Sequence, residues 1–147
     1  MGTIRIEVIV SAPIEEVWRA WTEADRVTEW FSPEANVEAR VGGAFELFFD
    51  PSDHDHQCTK GCVFTAVEPM GRLAFTWRGP DQFTELMNQP GELTSAVVIF
   101  KIEKEATKVS VEHGGWGDGE EWEQAKAWHL NAWRDVLGSL KSTLEAG

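Results

Sequence analysis

From Gly119 to about Glu145 no proline interrupts the chain, and apolar side chains recur there at steps of three and four residues. Trp122, Ala125, His129, Ala132, Trp133, Val136, Leu140 and Leu144 fall on one stripe. The segment is therefore predicted as a single helix on the order of 40 Å long, at a rise of about 1.5 Å per residue. Gly114-Gly115-Trp116-Gly117 breaks whatever precedes it, and Asp118 with Glu121 three residues later supplies a start signal. A helix of that length with one apolar stripe needs a broad apolar surface to lie on.

The rest of the chain supplies that surface, because its period changes to two. Ile4, Ile6, Val8 and Val10 alternate with other residues, as a half-buried strand requires. Pro13, with Glu15 and Glu16 behind it, opens a short amphipathic helix over 13–22, carrying Ile14, Val17, Trp18 and Trp21. Thr22-Glu23-Ala24-Asp25 resembles a capping box for a second short helix through Val27, Trp30 and Phe31, which Pro33 ends. Strands are then expected at Asn36–Arg40, at Ala44–Phe49 after the Gly42-Gly43 turn, and at Cys62–Val67. In the second of these, Phe45, Leu47 and Phe49 share a face. Pro69-Met70-Gly71 is turn chemistry before Leu73, Phe75 and Trp77, and residues 80–92 read as a long loop. Ser95–Glu103 and Lys108–His113 complete the set, with Val109, Val111 and His113 on one face. The class is α+β: a curved antiparallel sheet of about seven strands, two short helices after strand 1, and a long C-terminal helix packed across it. The 147 residues are expected to form one domain, 1–147.

Charge narrows the partners. A net charge of −12 disfavours nucleic acid and anionic membranes, both of which need a basic face. No apolar run reaches the roughly 18 residues of a membrane span, and Met1-Gly2-Thr3-Ile4-Arg5 lacks a signal-peptide layout. With only two cysteines, reduced thiols and a cytoplasmic setting are expected. There is no Gly-rich phosphate loop and no nucleophile elbow, so no cofactor is expected and a binding role is favoured over an enzymatic one.

Several strings, taken in order, resemble a known family. They are Ser11-Ala12-Pro13 with Val17-Trp18, Trp30-Phe31, and Gly42-Gly43-Ala44-Phe45. Glu68-Pro69 before Leu73-Ala74-Phe75-Thr76-Trp77 follows, then His113-Gly114-Gly115-Trp116 and Ala132-Trp133. Together they resemble the stand-alone bacterial homologues of the C-terminal domain of the heat-shock chaperone ATPase activator, within the helix-grip (START-like, SRPBCC) superfamily. The resemblance covers nearly the whole chain. It implies a cavity between the curved sheet and the C-terminal helix, of the kind that takes lipids, hormones, polyketides and other apolar or aromatic molecules. A chaperone interaction, a homodimer and a cyclase- or hydrolase-like use of the cavity are further readings that it leaves open.

Three groups of residues are candidates for a site. Trp30, Phe45, Phe75, Trp77, Trp122 and Trp133 fall on inward faces, where they either line a pocket for a flat ligand or fill the core. Phe83, Leu86 and Met87 are placed at the pocket's mouth. His113 and His129 face the same apolar region, either to hold a ligand's polar end or to satisfy local hydrogen bonds. The loop Asp50–Cys62 gathers His54, His56, Cys58 and Cys62, but its His-x-His and four-residue Cys spacings are not those of a zinc finger. A solvated turn is the simpler reading, and no metal site is assigned.

Overall fold

Antiparallel pairing runs through most of the computed structural model, which describes residues 2–146. Strand β1 (Ile4–Val10) is followed by helices α1 (Ile14–Thr22) and α2 (Ala24–Val27). Then come β2 (Glu34–Val37), β3 (Phe45–Phe48), β4 (Phe64–Glu68) and β5 (Arg72–Trp77). A short helix α3 (Thr84–Met87) precedes β6 (Thr94–Glu103) and β7 (Ala106–Gly114), and α4 (Glu120–Ala146) closes the order. Five strands pair in the order β1-β7-β6-β5-β4, while β2 and β3 form a second sheet. Main-chain bonds join the two sheets: Phe45 N–H donates to the Cys62 carbonyl and Phe64 N–H to that of Gly43, each at 2.9 Å. The register of β4 against β5 shifts between Phe64 and Ala66, beside this seam.

The concave face is apolar because every strand directs alternate residues to it. Phe75 pairs across with Ala96, and Ala96 with His113. Across this face α4 buries Ala125, His129, Trp133, Leu137 and Leu140. Its far end is tied down by Lys141 Nζ donating to the Ile9 carbonyl at 2.8 Å and by Glu145 accepting from Ser11 N–H at 2.8 Å. No helix among the described residues is long and apolar enough to cross a membrane.

Local signals were less exact than periodicity. Thr22 does not cap α2; its hydroxyl turns back to the Trp18 carbonyl at 2.9 Å. Asp118 lies just outside α4, whose first turn is made by Glu123 N–H donating to the Gly119 carbonyl. Trp122, expected on the buried stripe, is half-exposed beside Trp116, and Leu137 takes a place on that stripe. Alternation also fails at the end of β3: Phe48 is buried and Phe49 is 41% exposed, the reverse of the expected faces. The bridge from Phe48 to Cys58 redirects the chain there.

The Gly42-Gly43 turn lies where the two sheets meet. Gly42 has φ +83°, and a methyl group on Gly43 would run into the Glu38 carbonyl oxygen, a backbone atom that cannot step aside. Gly43→Ala is expected to cost about 2 kcal/mol, as overpacking against fixed atoms does. Gly138→Ala, in the exposed interior of α4 with open space around it, is expected to stabilise by up to about 1 kcal/mol. Urea unfolding of both variants reads the two signs.

Candidate functional site

Most of the inward aromatic residues fill the core. Trp21 is fully buried at its centre, within ring contact of Trp30, Phe31, Phe75, Phe100 and Trp133. Trp30 spends its indole N–H on the Ala20 carbonyl at 2.9 Å, and Phe45 stacks on Phe75 with centroids 4.2 Å apart. These rings have no free face.

Beside these rings the packing opens. A cavity of about 340 Å³ lies between the end of β5 and the middle of α4. Its buried walls are Phe31, Cys58, Trp77, His129 and Trp133, with Arg78, Pro80, Ala132 and Val136 half-buried around them. Phe49, Asp50, Gln57 and Trp128 are exposed and form the rim. Phe31 and Trp77 are close to parallel, at 26° with centroids 6.2 Å apart, and Trp133 leans on both. The volume is at the small end of the roughly 300–1,000 Å³ usual for ligand pockets. It has room for a molecule of one or two fused rings.

The two histidines differ in what their nitrogens do. His113 is fully buried and both its nitrogens are occupied. Trp133 Nε1–H donates to Nδ1 at 3.0 Å, so the remaining proton lies on Nε2 and is donated to Thr94 Oγ1 at 2.8 Å. Thr94 passes its own proton to the Trp77 carbonyl at 3.4 Å. This chain ties two walls of the cavity, the Trp133 ring and the Trp77 backbone, through one imidazole. Burial, with the nearby His129 adding to it, holds His113 well below its ordinary value of 6.5. His129 donates Nδ1–H to the Ala125 carbonyl at 2.7 Å, and its Nε2 is buried with no partner. Burial pushes its pKa down to about 4 against a smaller opposing effect of the Ala125 bond, so the ring is neutral at pH 7. Trp77 Nε1 is likewise buried without a partner.

Of the residues singled out from the sequence, Trp77, His129 and Trp133 line the cavity. Trp30, Phe45 and Phe75 lie in the packed core, and His113 stands behind the wall. Phe83 packs on Trp128 and His129 from outside. Met87 is fully buried under Gly79 instead of standing at the mouth, held there as Asn88 clasps the Gly79 backbone at 2.7 and 3.0 Å. Phe31, Phe49, Cys58, Arg78 and Trp128 line the cavity without having been expected to. Trp128 lies one residue off the buried stripe, and an exposed tryptophan beside a buried histidine was the signal available for it.

The Asp50–Cys62 loop is organised by its neighbours. His54 pairs with Glu34 at 3.0 Å, and His56 with Asp81 at 2.8 Å. Asp81 also accepts from Gln57 N–H at 2.9 Å, which clasps the rim at Gln57 to the turn after Pro80. Cys58 and Cys62 are free thiols, and burial pushes that of Cys62 up to about 11. Among the described residues no three His, Cys, Asp or Glu side chains converge as metal ligands do.

The family model described as "Activator of Hsp90 ATPase homolog 1-like protein" matches residues 11–145. No curated protein matches by sequence. Among solved structures, protein MLL2253 from Mesorhizobium loti is similar at a TM-score of 0.75 and 21% identity, over 98% of this chain and 97% of its own. The Aha1 dimer from Colwellia psychrerythraea is similar at 0.75 and 20%, over 99% and 97%. Protein BH1534 from Bacillus halodurans is similar at 0.75 and 25%, over 98% and 97%.

Proposed function

Since the chain belongs to the Activator of Hsp90 ATPase homolog 1-like family, with its helix-grip fold, we propose that it binds a small apolar or aromatic molecule in the cavity between β5 and α4. The observation that carries this reading is a volume of about 340 Å³ left open among flat rings in a molecule whose other aromatic residues interlock. Burying the apolar surface of a ligand there yields on the order of 25 cal/mol per Å². Trp77, Trp133 and the rim residues Phe49 and Trp128 supply the stacking faces. Burial keeps both imidazoles neutral at pH 7, and each donates to an uncharged oxygen, His113 to Thr94 and His129 to the Ala125 carbonyl, which suits an apolar guest.

Two tryptophans in the wall make the protein its own reporter. A naphthalene-sized aromatic is expected to change Trp emission saturably. Ala132→Phe, which grows a ring into the cavity from a half-buried position on α4, is expected to weaken that binding at least tenfold with thermal stability little changed. Binding that is untouched by Ala132→Phe, or a flat titration across apolar aromatics, would falsify the reading.

Family membership favours a second reading, chaperone accessory work through the surface, and the dimeric Aha1 relative extends it to a homodimer of this chain. Stimulation of a chaperone ATPase that Ala132→Phe leaves intact separates the two.

A further inference from the structure

Arg78 follows Trp77 where β5 ends and stands half-buried in the wall of the cavity. Among the described residues its guanidinium makes no hydrogen bond or ion pair. Arg19, Arg26, Arg40, Arg72 and Arg134, by contrast, are each bonded to a neighbouring side chain. Arg5 also lacks such a bond, but it is exposed on β1, where water serves it. A guanidinium carries five N–H donors, and a cation drawn partly out of water is ordinarily matched by an anion.

The carboxylates nearby do not supply that anion. Asp50, on the rim, accepts from the Ser52 N–H at 3.1 Å and from the Ser52 hydroxyl at 2.6 Å. Asp55 pairs with Lys60 at 2.9 Å, and Asp81 holds the Gln57 N–H at 2.9 Å and His56 at 2.8 Å. The Arg78 charge is the weakest of the influences that keep the Asp55 and Asp81 carboxyls below their ordinary values. A carboxylate on a guest matches the guanidinium in charge and in shape, since two parallel N–H bonds meet its two oxygens. A neutral amide of the same outline offers one oxygen and no charge, and an ammonium meets Arg78 with like charge. Over most of a surface whose net charge is −12 a carboxylate is repelled, so it is held only where a cation stands unspent.

We propose that the cavity takes a flat aromatic carboxylate, its rings against Trp77 and Trp133 and its two oxygens paired with the Arg78 guanidinium. This rests on the reading of the cavity as a ligand site and adds a charged end to the apolar guest. Arg78 is then the residue that sets specificity, by requiring an anion.

The test is calorimetric titration at pH 7 of three matched probes, 2-naphthoate, 2-naphthamide and the cation of 2-naphthylmethylamine, into the wild-type protein, Arg78→Gln, Arg78→Lys and Ala132→Phe. The naphthoate is expected to bind at least tenfold more tightly than the amide or the ammonium. In Arg78→Gln that preference is expected to vanish, while affinity for the amide stays within about twofold; Arg78→Lys is expected to keep part of it. In NMR spectra of the wild-type protein the Arg78 Nε–H resonance is expected to shift with naphthoate and not with the amide, which reads the pairing without any variant. Equal binding of naphthoate and amide, blocked by Ala132→Phe, overturns the carboxylate selection and leaves the ligand site standing. A naphthoate preference that survives Arg78→Gln overturns the role of Arg78. Tightest binding of the ammonium overturns the proposal in favour of the acidic rim. Binding of none of the probes at millimolar concentration overturns the ligand site itself.

Discussion

His113→Leu is expected to lower the unfolding free energy by about 3 kcal/mol, although leucine nearly matches imidazole in bulk. The loss comes from the groups left behind. Trp133 Nε1–H would be a buried donor with no acceptor, and Thr94 would lose the bond that aligns its hydroxyl with the Trp77 carbonyl. His113→Gln can accept at one atom and donate at another, and is expected to recover part of the loss. For a domain of this size the difference corresponds to a drop in Tm of roughly 10 °C. Equal melting temperatures for the Leu and Gln variants would show that only packing matters there. Loss of near-ultraviolet circular dichroism from the tryptophans should accompany the Leu substitution, because Trp133 is released from its fixed orientation.

Acidification from pH 6.5 to 4 is expected to remove about 3 kcal/mol through His129 alone, since its pKa falls from an ordinary 6.5 to about 4 on folding. The sign follows from proton counts. In this window the unfolded chain binds a proton that the folded chain refuses, so stability is complete above pH 6.5 and falls as the pH drops. His113 adds in the same direction. The carboxylates held low by ion pairs, such as Glu23 and Glu145, contribute only below about pH 4.5. Urea midpoints measured across the window should slope steadily in the wild type and more gently in His129→Phe. A flat profile down to pH 5 would mean that neither imidazole is shielded as its burial implies.

The sheet and α4 were legible in the sequence because each repeats a simple period over many residues. Ile4 to Val10, Ser95 to Glu103 and the stripe through Ala125, His129 and Trp133 all lie in elements close to those expected. Ends were less legible. Thr22 and Asp118 carry capping side chains, but a competing bond at Trp18 and the turn at Gly119 decided the boundaries. The candidate site was legible only in part, for a geometric reason. Alternation assigns a ring to a face of the sheet, yet whether Phe75 interlocks with Phe45 or leaves a gap depends on how the second sheet folds over the first, which no local period encodes. The rim was less legible still. Trp128 is exposed and off the buried stripe, and Phe49, which alternation puts on the face of Phe45 and Leu47, is turned outward at the end of β3.

The off-centre position of the cavity has one further consequence. Trp21, Trp30, Phe45 and Phe75 hold the molecule together, while much of the opening is bordered by side chains that hold little: Phe49, Asp50, Gln57, Trp128 and Ala132. Core packing and the cavity thus share Phe31, Trp77 and Trp133, while the rim stands apart from the core. Relatives can diverge at the rim with little penalty to thermal tolerance. On the binding role proposed above, substitutions at the rim retune the guest while the central rings stay as they are.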